Sequence, residues 1–174
     1  AYPRRIMSTH RATGSTKWCL GIDTSGRVGF GGSQGTEEPN ANKYQLSLNT
    51  WHHVMLVHDD TEYTLYVDGV ERANNTSSPI DPANDTQDPF LCIGGRPNQP
   101  DRVYQGRIGD VRAYLKRLSA AEVFQNYNAT KSKYINEAPD TAPKISDSAI
   151  VYGSNLLLNY DFGNRATYDR AENL

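Results

Sequence analysis

The stretch NTWHHVMLVHDDTEYTLYVDGVERA, residues 49–73, decides the fold. It contains two apolar runs, at 51–58 and 63–67, and the start of a third run at Val70. The polar residues DDTE separate the first two runs. Short runs rich in Val, Leu, Tyr and Trp, bounded by turn residues, are typical of strands. The stretch therefore predicts an antiparallel sheet of two strands and the start of a third.

The second run and the residues after it predict a hairpin. Successive side chains of a strand point to opposite faces, so Tyr63, Leu65 and Val67 share one face and can pack on a core. Asp68-Gly69 follows directly. An Asp-Gly pair between apolar runs favours a type I′ turn, because both central residues of that turn need a positive φ.

Other segments predict further strands and one helix. Strands are expected at residues 6–9, 17–22, 27–30, 44–48, 90–93 and 103–114, and Gly106 and Gly109 indicate a bend or bulge in the last of these. Ser119 as N-cap with Glu122 at N3 forms a capping box, and Leu118 with Val123 forms a hydrophobic staple. The helix is expected to end near Tyr127, and it is too short to be stable unless it packs on the sheet.

Composition and charge limit the function classes. A chain of 174 residues suits one domain, or one domain with a tail. The net charge of −2 argues against nucleic acid as a partner, because phosphate binding needs a basic surface. No apolar run reaches the roughly 18 residues of a membrane span, so no membrane insertion is expected. The two cysteines, Cys19 and Cys92, can pair only if their strands are neighbours.

Five pieces of the sequence occur in an order that resembles a known family. They are NTWHHV at 49–54, LYVDG at 65–69, FLCIGG at 90–95, YQGRIGDVRAY at 104–114 and RLSAAEV at 117–123. Together they closely resemble the laminin-G-like, concanavalin A-like jelly-roll family over about residues 6–127. Gly109 is a small departure, since the family often has Ile before this Asp.

The resemblance implies an all-β fold, an antiparallel jelly-roll β-sandwich with one short helix. It also implies a division of the chain. Residues 1–129 form the laminin-G-like domain, without the strand that usually opens it. Residues 130–148 are polar, contain two prolines and are interpreted as a linker or extended arm. Residues 149–174 carry a C-terminal strand.

The C-terminal strand resembles the missing opener. Family domains usually begin with a strand of the type LVLxLDxGN, and LLLNYDFGN at 156–164 is similar to it. Three arrangements remain open: the strand starts a next repeat in a tandem array, it fills the vacant position in its own sheet as in a circular permutation, or it completes a neighbouring copy by strand donation. The predicted assembly residues are Leu156, Leu157, Leu158 and Tyr160.

The carboxylates do not predict catalysis. Glucanases with a fold similar to this one typically have a strand motif ExDxxE, whose carboxylates act as acid, base and nucleophile. The sequence has no such motif, and Asp59, Asp60 and Glu62 are interpreted as turn residues. The expectation is therefore a protein that is not an enzyme. The four histidines are interpreted as packed or surface residues.

Two ligands are candidates on the strength of the resemblance. Many family members hold calcium at the sheet rim through loop oxygens. The candidate calcium ligands are Asp81, Asp85, Asp88 and Asp101. Glycan binding needs planar polar groups and an aromatic surface. The candidate glycan-binding residues are Arg96, Asn98, Asp101, Arg102 and Tyr104.

The segment DFGNRATY at 161–168 resembles openers in structural proteins of tailed phages. This resemblance implies a non-enzymatic structural or attachment module of a phage-like virion, on the capsid or the tail fibres. Its partners would be other virion subunits, copies of itself or a cell-surface glycan, with weak contacts multiplied by copy number. The alternative is a secreted or cell-surface carbohydrate-binding lectin module with an extracellular location.

Overall fold

The protein is described by a computed structural model that covers residues 4–10, 16–32, 41–58, 62–75, 90–95, 102–135 and 156–161. The strands are β1 (Arg4–His10), β2 (Thr16–Ile22), β3 (Arg27–Gly32), β4 (Ala41–Gln45), β5 (Val54–His58), β6 (Tyr63–Val67), β7 (Val70–Asn75), β8 (Phe90–Ile93), β9 (Asp110–Tyr114) and β10 (Leu156–Asp161), and the helix is α1 (Ala120–Ile135).

The strands pair antiparallel in three groups. A five-stranded sheet has the order β4-β3-β2-β1-β8, a three-stranded sheet has the order β5-β6-β7, and β9 pairs with β10. An isolated parallel bridge joins Arg5 to Val103. The predicted all-β antiparallel sandwich with one helix is confirmed.

The main core lies between the five-stranded and the three-stranded sheets. Its buried members are Leu20, Val28, Phe30, Tyr63, Leu65 and Val67. The rings of Phe30 and Tyr63 stack across the two sheets with their centroids 5.0 Å apart. Each such side chain contributes roughly 1.5–3 kcal/mol by leaving water. The face predicted for β6 is therefore the face that packs on the core.

The opposite face of β6 is buried as well. Thr64 and Tyr66 are 4% and 7% exposed, and Tyr66 belongs to a second cluster with Val57, Leu118 and Val123. Because Leu118 directly precedes α1 and Val123 lies in its first turn, the start of the helix covers the outer face of the three-stranded sheet. β6 thus lies in the middle layer of three, between the five-stranded sheet and α1. Its alternating sequence pattern did not indicate that both of its faces are buried.

The start of α1 is as predicted, and its end is not. Ser119 N donates to Glu122 Oε2 over 2.9 Å and Glu122 N donates to Ser119 Oγ over 3.3 Å, so the capping box is confirmed. The helix continues to Ile135, two turns beyond Tyr127, and the first six residues of the predicted linker are helical. Those turns have no apolar stripe and are held by polar contacts of Thr130 and Tyr134.

Three predicted strands were too long. The strand expected at 103–114 is regular only from Asp110 onward, because Gly109 makes room for the Tyr134 hydroxyl. The strand expected at 44–48 ends at Gln45, since Leu48 is 80% exposed and Asn49 has a positive φ of 56°. Residues 51–53 precede β5 because the backbone of His53 bonds to Asp68.

The two cysteines do not pair. Cys19 and Cys92 both lie opposite Ser8, but on the two different sides of β1. Neighbouring strands are about 4.8 Å apart, so these residues are about 10 Å apart, beyond the roughly 7 Å that a disulfide spans. Neither cysteine is part of a disulfide, and burial raises the pKa of Cys92.

Candidate functional site

The Asp68-Gly69 turn lies directly against the helix. Its two residues have φ values of 55° and 76°, which confirms the predicted type I′ geometry. A Cβ atom on Gly69 would lie 2.9 Å from both Phe124 Cδ2 and Tyr127 Cδ1. Glycine is therefore required twice at this position, for the backbone conformation and for the close approach of α1.

The Asp68 carboxylate joins this turn to the segment before β5. Its Oδ1 accepts from the backbone N of His53 over 2.9 Å, and its Oδ2 is 2.8 Å from Nδ1 of His52. In return, Asp68 N donates to His53 O over 2.8 Å. The sequence pieces TWHHV and LYVDG therefore form one structural unit.

A second carboxylate, Asp110 at the start of β9, fixes that strand to α1. Its Oδ1 accepts from Tyr134 OH over 2.7 Å and from Lys133 Nζ over 2.9 Å, and its Oδ2 accepts from Arg112 Nη2 over 3.0 Å. Asp110 N donates to the same tyrosine hydroxyl over 2.9 Å. These four residues are called the Asp110 cluster below.

The centre of the Asp110 cluster is nearly dry, although Lys133 at its edge is 31% exposed. The side chains of Asp110 and Arg112 are only 6% and 9% exposed. The ring of Tyr134 packs against Trp51, with centroids 4.8 Å apart, so the cluster also touches the segment before β5. Because desolvation offsets most of the attraction in a buried ion pair, its main effect is to fix geometry, here the position of β9 on α1.

His53 lies between the two carboxylates. Burial, together with the positive charge of Arg112, lowers its pKa to about 4, although Asp68 and Asp110 act in the opposite direction. Its Nδ1 has no hydrogen-bond partner among the described residues. The imidazole is therefore neutral at pH 7, and its ring lies 6.0 Å from that of Tyr127.

The helix holds β9 at its other end too. Asn126 Nδ2 donates to Tyr114 OH over 3.1 Å, and Asn126 itself is 1% exposed. Val111, between the two anchor points, is 8% exposed. The strand is thus attached to α1 by side chains at both ends, which leaves its backbone edge for pairing.

Strand β10 occupies that edge. It pairs antiparallel with β9 from Asp161 opposite Asp110 to Leu156 opposite Tyr114, with a register shift between Leu156 and Leu158. Among the described residues, β9 is the only strand that pairs with β10. The predicted assembly residues Leu156, Leu157, Leu158 and Tyr160 all lie in this strand.

Most of the predicted ligand-binding residues lie outside the described part of the chain. These are Arg96, Asn98, Asp101, Asp81, Asp85 and Asp88. Arg102 is 3% exposed, and the backbone N of Tyr104 donates to Gly94 O over 2.9 Å. Within the described ranges no group of three or more His, Cys, Asp or Glu could hold a metal ion. The calcium and glycan assignments stay predictions.

Sequence reasoning missed the residues that position β9. Asp110 and Arg112 lie in the piece GDVRAY that carried the family resemblance, and this was the signal that could have found them. Tyr134 gave no signal, because it lies beyond the predicted end of the helix. None of the helices in the described residues is long and apolar enough to cross a membrane.

The fold and the site define a class: a laminin-G-like β-sandwich in which β10, the last strand of the described residues, pairs with the edge of β9. A family model for the concanavalin A-like lectin/glucanases superfamily matches residues 1–124. The chain belongs to this superfamily, as the sequence resemblance implied, and the sandwich is of the jelly-roll type. The superfamily's name covers both lectins and glucanases, so membership alone leaves the activity open.

The chain is also similar to solved structures. One is an S-layer domain-containing protein from Clostridium thermocellum, residues 221–444, at 21% identity and a TM-score of 0.38, covering 72% of this chain. This chain spans 63% of the length of that solved chain. A likeness at this level carries no functional argument. No curated protein matches the chain significantly.

Proposed function

We propose that the protein is a non-enzymatic structural or attachment module of a phage-like particle, displayed on the capsid or the tail fibres. The observation that carries the proposal is the β9–β10 pair. β9 is fixed on α1 by side chains. β10 follows α1 after a connection of twenty residues, 136–155. A strand on so long a connection is suited to subunit contact.

The described carboxylates support a structural role. A glycosidase needs two carboxyl groups roughly 5–10 Å apart with access to the sugar. Asp68 and Asp110 are instead engaged by neighbouring histidine, arginine, lysine and tyrosine groups. Asp23 and Glu122 serve a hairpin turn and a helix cap. None of these four is presented to a substrate in a way that favours hydrolysis.

The virion location is supported by the resemblance of residues 161–168 to phage openers. In this proposal copies of the chain or other virion subunits are the main partners, and a host glycan is a weaker one. Tyr104 is the candidate glycan contact in the described residues, because Arg102 beside it is almost fully buried. The alternative is a secreted or cell-surface lectin module, which the lectin members of the superfamily favour.

The test compares the full chain with a chain of residues 1–148. We expect the shorter chain to lose thermal stability or association, measured by differential scanning calorimetry and by light scattering after gel filtration. We also expect no release of reducing sugar from polysaccharides. Sugar release by the full chain would overturn the proposal, and equal stability and association of both chains would remove its main support. Binding on a glycan array without any self-association would favour the lectin.

A further inference from the structure

The edge of β9 offers a binding surface for a strand from another molecule. We infer that it accepts residues 156–161 of a second copy of this chain, so that copies join by exchanging β10. The inference rests on the proposed structural role and names its partner and its contact surface.

The acceptor is preformed by contacts that do not involve β10. Asp110 at one end of β9 is held by Lys133 and Tyr134, and Tyr114 at the other end is held by Asn126. All three holding residues belong to α1. When β10 leaves, these contacts remain, and β9 keeps an ordered row of backbone donors and acceptors. Such an edge pairs readily with an added strand.

The donor is attached through its pairing with β9 and through the chain itself. Its sequence LLLNYD has four apolar residues in six, a composition that favours pairing in a sheet. The twenty residues at 136–155 can extend about 66 Å at ~3.3 Å per residue. A domain of this length has a diameter of about 40 Å. The connection is therefore long enough to bring β10 to a neighbouring molecule.

Exchange replaces each β9–β10 pairing by the same pairing between two molecules. No contact is lost, so the balance depends on concentration. A strand on a connection of twenty residues has an effective concentration of the order of millimolar toward its own β9. Copies crowded on a particle reach a similar concentration, and exchange then competes with pairing inside one molecule. Dilute protein is expected to be monomeric.

The experiment uses the full chain with single cysteines on the two strands. Ala113 and Leu158 lie directly opposite each other in the register. One preparation carries Ala113→Cys and the other Leu158→Cys, both with Cys19→Ala and Cys92→Ala. The two are mixed at millimolar concentration and oxidised, either directly or after dilution, and the mixed covalent dimer is measured by mass spectrometry. The matched control replaces Ala113→Cys by Ser25→Cys, which is exposed in the turn after β2.

We expect about tenfold or more of the mixed dimer relative to the control, with the yield falling on dilution before oxidation. A yield equal to the control, while the double variant Ala113→Cys/Leu158→Cys closes a disulfide inside the monomer, would overturn the inference. Failure of both disulfides would overturn it as well, since β10 would then not pair with β9.

A second measurement avoids substitutions. The unmodified chain, concentrated to millimolar and then analysed by light scattering after gel filtration, should contain dimers that the chain of residues 1–148 does not form. Equal dimer content in both would contradict exchange. Sugar release, by contrast, would overturn the proposed function and leave the cross-linking result unchanged, so the two failures can be told apart.

Discussion

Two hairpin turns in this molecule each contain an aspartate and a glycine, adjacent in Asp68-Gly69 and separated by two residues in Asp23-Thr24-Ser25-Gly26, and they make different contacts. In the turn between β2 and β3, Asp23 accepts from Ser25 N and Arg27 N over 2.9 and 3.0 Å, and its Oδ2 is 3.2 Å from Lys43 Nζ. All of these partners belong to the same turn or to adjoining strands of one sheet. This turn is a local structure.

The turn between β6 and β7 links distant parts of the chain. Asp68 bonds to His52 and His53, sixteen and fifteen residues earlier, and Gly69 lies under two aromatic rings of α1. The residue types are similar to those of the first turn. The comparison teaches that an Asp-Gly turn indicates a hairpin, whereas its contribution to the tertiary structure depends on what surrounds it.

The largest difference is expected when each glycine is replaced by alanine. Gly69→Ala should destabilise the protein by about 3 kcal/mol, because a positive φ costs ~1–2 kcal/mol and forcing a Cβ against packed rings costs more. Gly26→Ala should cost about 1 kcal/mol, since its Cβ would meet the side-chain end of Gln45 at 3.2 Å, which can move. Urea unfolding measures both. Equal losses of stability in Gly69→Ala and Gly26→Ala would contradict the difference between the two turns.

A smaller difference is expected for the two aspartates. Asp68→Ala should cost about 2 kcal/mol, because it leaves His53 N and the His52 ring without their acceptor. Asp23→Ala should cost about 1 kcal/mol, because its donors are more exposed and can bond to water. Asp68→Asn is the matched control, since it keeps the acceptor for His53 N. A cost for Asp68→Asn as large as for Asp68→Ala would assign the effect to charge instead.

A further difference concerns pH. Burial and Arg112 keep His53 neutral in the folded state, with a pKa of about 4 against an ordinary value of 6.5. The unfolded chain then binds more protons between these values, so stability is full above pH 6.5 and falls as the pH drops toward 4. The slope should be about 1 kcal/mol per pH unit, below the limit set by one proton. Unfolding in urea at several pH values should show this slope in the wild type and not in His53→Gln.

The contribution of the first turn to stability changes over a lower pH range. Burial opposes ionisation of Asp23, but bonds from Arg27, Lys43 and Ser25 outweigh it and lower the pKa to about 2 from 3.8. Its contribution is therefore present above about pH 4 and is lost as the pH falls toward 2. Asp23→Asn should differ from the wild type at pH 6 and match it near pH 2. If Asp23→Asn lost the same stability at pH 6 and near pH 2, the lowered pKa of Asp23 would not be the cause.

The sequence by itself determined the local structures and the family. The β6–β7 hairpin, the capping box at Ser119 and the buried face of β6 follow from neighbouring residues, through backbone preference and strand period. The five ordered pieces indicated the jelly-roll sandwich that the family match confirms. The local structures could be predicted because each depends on residues within about ten positions of one another, and the family could be predicted because the pieces occur in its order.

Only the tertiary structure decided how those pieces hold each other. The helix extends to Ile135 because Tyr134 finds Asp110, a residue 24 positions earlier, and no periodic pattern indicates such a contact. His53 stays neutral because three separate elements surround it. The edge of β9 that receives β10 also exists only in the fold, since hydrogen bonds between distant backbones leave no mark on either sequence.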